Sequence, residues 1–267
     1  FKQKTAYEIM PSLVGSEMCI RDRNQAMWKD PSRGNQNFQV RYVMSDGWGE
    51  PVQVNRRPGT EMSFSKYEKE QLRESIGILT IAFTLALSDG LEAVLNDPMI
   101  FLKELPMAFG AVMTAFLLHE LAHKWMAQQY GCWAEYRGNR NGLLFALLMS
   151  SFGFLLAAPG AVMVSGRITD RQNGIIAAVG PISNIIIALI AFPIYLFTIG
   201  LDYPISLVGE LARFIVVINL ILGGFNMIPI QPLDGSKIIA WSKAAYFGII
   251  IAIFTTAMLY WNIAPIS

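Results

Sequence analysis

Residues 106–130 read PMAFGAVMTAFLLHELAHKWMAQQY. The first 13 residues of this run carry no charge, and then His119, Glu120 and His123 arrive within five positions. A membrane crossing needs about 20 predominantly apolar residues, so the run is long enough to span. Ionisable groups inside such a segment are expensive, and by default they mark a function. The reading of this stretch decides the rest: a chain that buries two imidazoles and a carboxylate in an apolar helix is a membrane protein with a polar site.

The bulk composition agrees. Of 267 residues, 53% are hydrophobic and 15% charged, with a mean hydropathy of +0.39, whereas a soluble domain carries about 25% charged residues. The net charge of +1 offers no electrostatic footprint for a nucleic-acid partner. Working outward from 106–130, further apolar segments lie at 76–87 (extended by amphipathic turns from Leu72), 174–198, 205–228 and 245–263. A weaker stretch at 143–164 is broken by Gly153 and Pro159-Gly160. These segments predict an all-α polytopic membrane protein of five to six spans, with a re-entrant segment near 143–164. Ser65 and Glu68 have the spacing of a capping box that opens the first helix.

The N-terminal 64 residues read differently. Stretches 2–8 and 13–22 back-translate in frame to a sequencing adaptor and a library primer, so 1–23 is read as artefact and set aside. Cys19 goes with it, leaving Cys132 and no disulfide framework. Residues 24–64 are polar, with alternation around Asp46-Gly47 predicting a short hairpin in a cytosolic segment. Residues 65–267 form the membrane-embedded domain. Basic residues flank the first span (Arg56, Arg57, Lys66, Lys69, Arg73) and follow the second (Lys124, Arg137, Arg140, Arg167, Arg171). The Lys/Arg bias therefore places both regions in the cytosol and 89–105 outside.

Positions i and i+4 of a helix lie on one face, so His119 and His123 can reach one metal with Glu120 beside it. Two histidines so spaced, with a carboxylate to take a proton from bound water, are the arrangement of zinc hydrolases. A catalytic zinc takes a third protein ligand, and the two histidines are all the chain has. Asp234 ends the stretch Asn226-Met227-Ile228-Pro229-Ile230-Gln231-Pro232-Leu233-Asp234-Gly235. Its prolines forbid regular helix, which a membrane protein tolerates inside protein or beside water. On these residues alone, Asp234 reads equally as a metal ligand and as an ordinary Asp-Gly turn.

HELAH together with NMIPIQPLDG resembles the site-2 protease family of membrane metalloproteases. Gly180-Pro181-Ile182-Ser183-Asn184 is similar to that family's GPxxN element, and the resemblance covers roughly 106–240. It implies His119, His123 and Asp234 as ligands of one Zn2+ per chain and Glu120 as general base. Gly180, Pro181, Asn226, Pro229 and Gly235 support the motifs, and Asn184 is implied to hold substrate or polarise its carbonyl. Gln231 departs from the family, where many members have proline. The resemblance also implies cleavage of transmembrane protein substrates within the bilayer, at a site open to the cytosol; a prokaryotic plasma membrane is the expected location. His119 lies roughly 20 Å down its helix, so Asp234 meets it only if 205–228 runs the same way. That requires 143–164 not to be a single crossing. Two alternatives stay open: an inactive scaffold of the same fold, and another membrane zinc hydrolase that takes Glu210 as its third ligand.

Overall fold

Asp97 and Pro98 start the helix that carries the two histidines, earlier than the apolar run suggests. The Asp97 carboxylate accepts a hydrogen bond from Met99 N at 3.0 Å, and Pro98 takes a first-turn position where a missing N–H costs little. In the computed structural model, α3 (Pro98–Ala111), a π-helical turn (Val112–Leu117) and α4 (Leu118–Gln129) form one run of 32 residues. Part of the connection expected outside the membrane is thus helix. The structure describes residues 62–263 apart from 156, 167, 200, 203 and 204. The adaptor-like stretch and the hairpin expected near Asp46-Gly47 lie outside the described residues.

α1 (Lys66–Leu87) begins where the sequence predicts, with Ser65 Oγ accepting from Glu68 N at 3.0 Å. The reciprocal half of the capping box does not form, because the Glu68 carboxylate is committed to Lys124 and Tyr136 instead. α2 (Leu91–Asn96) is a short connection to α3.

Among the described residues, four helical runs are long and apolar enough to cross a membrane, against the five to six expected. They are Pro98–Gln129, α6 (Asp170–Thr198), Ser206–Asn226 within α7 (Ile205–Asn226), and α9 (Lys243–Ile263). α1 falls outside this set because its first turns carry Lys66, Glu68, Lys69, Glu70, Arg73 and Glu74. The outward faces of α6, α7 and α9 show Ile190, Phe197, Ile221, Ile251 and Phe254, the surface a lipid solvent requires.

Between α4 and α6 the chain forms β1 (Trp133–Gly138), α5 (Arg140–Ser150) and β2 (Gly160–Ser165). The strands pair antiparallel, from Trp133 opposite Ser165 to Gly138 opposite Gly160. Among the described residues, this two-stranded ribbon is the β structure in an otherwise helical, membrane-like fold. α5 has 11 residues, about 16 Å of helix, half of the ~30 Å hydrocarbon core. The stretch 143–164 is therefore not one helical span, and α6 can return from the side on which α4 ended.

The polar face of α1 holds β1. Glu68 Oε1 accepts from Tyr136 N at 2.9 Å, Gln71 Oε1 accepts from Gly138 N at 2.8 Å, and Tyr136 Oη donates to Ser75 Oγ at 3.0 Å. α6 occupies the centre, packed against α4, α7, α8 (Asp234–Trp241) and α9. Its buried Ala177, Ala178 and Ala188 allow the close approach that small residues give membrane helices.

Candidate metal centre

Three elements bring the site together. His119 and His123 project from one face of α4, as their spacing requires, and their rings stand at 85° with centroids 4.6 Å apart. α7 ends at Asn226, whose Nδ2 donates to Leu222 O at 3.1 Å. An irregular turn through Pro229 and Pro232 then leads to α8, whose first residue is Asp234. The chain can fold so tightly here because residue 235 is glycine: a Cβ would lie 2.3 Å from Met227 O.

The three candidate donor atoms form a small triangle. His119 Nε2 is 3.0 Å from His123 Nε2, and Asp234 Oδ2 is 3.2 and 3.1 Å from those two nitrogens. Donors about 2.0–2.1 Å from a tetrahedral zinc would stand roughly 3.3 Å apart, so the triangle has the right size. All three residues are buried, at 3, 7 and 8% exposure.

The hydrogen bonds behind the triangle set its chemistry. His119 Nδ1 meets Asn184 Oδ1 at 2.7 Å and His123 Nδ1 meets Ile176 O at 2.7 Å. The carbonyl is purely an acceptor. Asn184 presents its oxygen, because its Nδ2 is spent on Ala115 O at 3.1 Å and Asn219 Oδ1 at 2.9 Å. Each neutral imidazole thus carries its proton on Nδ1 and turns a bare Nε2 inward. Asp234 Oδ2 is buried with no hydrogen-bond donor of its own. Three lone pairs at 3 Å repel unless a cation lies among them. The donor set fits a divalent metal with a preference for nitrogen and oxygen, and zinc suits it.

Glu120 Oε2 accepts from Val162 N of β2 at 3.0 Å, so the ribbon fixes the carboxylate next to the histidines. Gly180 is where α6 presses on the imidazoles: a Cβ there would sit 2.4 Å from His123 Nε2 and 2.7 Å from His119 Cε1. Pro181 follows it inside α6.

One expectation is corrected. Asn184 was read as a substrate-facing amide, but it is fully buried, with both amide protons given to protein acceptors and its oxygen given to His119. Nothing on it is left for a substrate carbonyl. Lys124, counted above among the basic residues that follow the second span, lies inside α4. It is wholly buried, with Nζ 2.5 and 2.6 Å from the Glu68 oxygens and 3.0 Å from Ala134 O. Glu210 is exposed on α7, 16 residues before Asn226, roughly 24 Å along the helix; the carboxylate that joins the histidines is that of Asp234. Cys132 is buried among Ala127, Ala134 and Ile176, apart from the cluster. Asn219 escaped the sequence reading, and its only signal was a polar side chain within the apolar run FIVVINLILGG.

No protein-family model matches the chain, and no solved structure matches it. Curated proteins do. The chain is 31% identical over 205 residues to a Methanocaldococcus jannaschii protein named "Putative zinc metalloprotease MJ0611", covering 75% of this chain and all of that one. It is 28% identical over 156 residues to the Bacillus subtilis protein named "Putative zinc metalloprotease YwhC", covering 52% of this chain and 69% of the relative. A second M. jannaschii protein, "Zinc metalloprotease MJ0392", shows 28% identity over 132 residues, 49% of this chain and 32% of its own length.

Proposed function

We propose that this chain, which belongs to the zinc metalloprotease family of these archaeal and bacterial relatives, is an intramembrane endopeptidase of the site-2 protease type. It would hold one zinc per chain through His119, His123 and Asp234 and cleave membrane-protein substrates in or near their transmembrane segments. The observation that carries this reading is the convergence of two bare imidazole nitrogens and one orphan carboxylate oxygen within 3.2 Å, on helices apolar enough to lie in a bilayer.

A zinc bound there supplies Lewis acidity, which polarises a peptide carbonyl and makes water nucleophilic near neutral pH. The chain's own residues do the rest. Glu120, held by Val162 N, accepts the proton of the attacking water and returns it to the leaving amine. Asn184 and the Ile176 carbonyl keep the two imidazoles in the ligand tautomer. The irregular backbone from Pro229 to Leu233 offers a place where water and an unwound substrate segment can enter. Arg137, Arg140 and Arg171, between α4 and α6 or at the start of α6, favour the cytosolic side for this end of the bundle. No nucleic acid takes part.

Metal content comes first. The protein from Asn24 onward, purified in detergent, is expected to hold about one zinc per chain, and His123→Ala and Asp234→Ala are expected to lose it. A wild-type protein that stays zinc-free after supplementation would sink the proposal. Site of cleavage comes second. New protein termini in host membranes, mapped by mass spectrometry, should fall inside substrate spans with wild type and be missing with Glu120→Gln. Cleavage confined to soluble segments would leave a membrane-anchored protease and remove the intramembrane claim.

A further inference from the structure

Behind His119, Asn184 is itself held from behind. Asn219 on α7 is fully buried, in a helix whose other neighbours at this level, Val216 and Leu220, are apolar. Its Oδ1 accepts from Asn184 Nδ2 at 2.9 Å, while its Nδ2 donates to Ile215 O at 2.9 Å and to Thr114 Oγ1 at 3.2 Å. Thr114 Oγ1 in turn donates to Gly110 O at 2.6 Å. The π-helical turn Val112–Leu117 supplies both anchors of this chain of bonds on the metal helix, the Thr114 hydroxyl and the Ala115 carbonyl.

We infer that Asn219 is a positioning residue for the metal centre: acting through Asn184, it sets which atom of that amide faces His119 and so keeps His119 Nε2 free for the metal. This rests on the zinc reading above. Donors and acceptors around the two amides leave one arrangement that satisfies all of them. An Asn amide has two donor protons on one side and an acceptor on the other, and it turns over if the pattern around it allows. The Ala115 carbonyl satisfies one proton of Asn184. The second needs an acceptor in a dry interior, and Asn219 Oδ1 is that acceptor. Asn219 cannot turn over either, because its own protons must face the Ile215 carbonyl and the Thr114 oxygen. Without it, a buried amide proton of Asn184 has no partner, and the flipped amide, which would present N–H to His119, becomes competitive. His119 would then have to accept through Nδ1 and carry its proton on Nε2, the atom that faces His123 and Asp234. A polar residue deep in an apolar helix, bonded only to protein, thereby acquires a reason that packing does not provide.

The test measures zinc affinity by competition with a chromophoric chelator, together with the visible spectrum of the cobalt-substituted protein. Asn219→Leu keeps the volume and removes the acceptor. It should weaken zinc by about tenfold, the lower end for loss of a residue orienting a ligand, and should shift the cobalt bands. Asn219→Asp keeps an oxygen that accepts from Asn184, so it should restore affinity. Val216→Ala, on the same helix, is the control for packing damage and should leave affinity unchanged. Adding Asn219→Leu to Asn184→Ala should cost nothing beyond Asn184→Ala alone, because both act on one line. If Asn219→Leu does not fold, Asn219→Ala takes its place in every arm. Zinc affinity as in wild type, a loss matched by Val216→Ala, or additive losses in the double variant would each overturn the inference. A wild-type protein without zinc would instead overturn the metalloprotease reading beneath it, so the two failures are distinguishable.

Discussion

Replacing Gly180 by alanine should break the metal centre with one methyl group. The new Cβ would stand 2.4 Å from His123 Nε2, 2.5 Å from His123 Cε1 and 2.7 Å from His119 Cε1. Ordinary carbon contacts begin near 3.5 Å, so the two rings, or α6 itself, must retreat by about 1 Å. α6 has little freedom to do so, because it is wedged between α4, α7, α8 and α9, and Gly174 one face along lies so near Trp241 that a Cβ would be 2.4 Å from its Cβ. The imidazoles therefore move. Ligand distances in metal sites hold within about 0.2 Å, and a displacement several times larger leaves at most part of the donor set in place. Zinc affinity should fall by about a hundredfold or more, the upper end of losses from disturbed ligand support. Overpacking should also destabilise the fold by about 1–3 kcal/mol. Chelator competition reads the first quantity and thermal unfolding in detergent the second. An alanine variant that unfolds at a lower temperature but binds zinc like wild type would refute the reasoning, because it would mean that α6 gives way and the histidines do not.

Lys124→Met should destabilise the protein by about 3–5 kcal/mol, because it strands the buried Glu68 carboxylate. Adding Glu68→Leu to it should recover much of that loss, and unfolding of the single and double variants in detergent checks both statements. Asp234→Asn and Glu210→Gln should separate cleanly in metal content, the first losing zinc and the second keeping it, since Asp234 joins the histidines and Glu210 does not. Glu120→Gln should retain zinc, because no ligand changes, while peptide hydrolysis falls by at least about a hundredfold, the scale of a lost general base.

The legible parts of this protein were the local ones. His119, Glu120 and His123 lie on one helix, and their relation follows from helical geometry without knowledge of the fold. Ser65 as an N-cap is equally local. Asp234 is 111 residues from His123, and nothing in its neighbourhood separates a ligand from a turn residue; the resemblance of NMIPIQPLDG had to do that. The ribbon was illegible because Gly160–Ser165 is a short apolar run, which periodicity cannot distinguish from buried helix. The early start of α3 was signalled by Asp97-Pro98, but Lys103 and Glu104 argue against a span when hydropathy alone is weighed. The burial of Lys124 was hidden for a different reason. The residue's position on a helix is a local fact, whereas its carboxylate partner lies 56 residues earlier. Long-range pairing of buried groups leaves no trace in a window of sequence, and the bonds from Asn184 to Asn219 share that property.

The contact between Glu68 and Lys124 also bears on what counts as a transferable unit. The two histidines and their glutamate make a compact sequence signature, and a fragment beginning after α1 would contain all of them along with Asp234. Such a fragment would still insert a lysine into the interior without the carboxylate it is built around, and would leave the outer N–H groups of β1, at Tyr136 and Gly138, without the side chains that accept from them. The histidine–glutamate signature is thus not a cassette. For transplantation into another scaffold, the smallest portable piece starts no later than the helix at Lys66, even though that helix contributes no ligand to the metal.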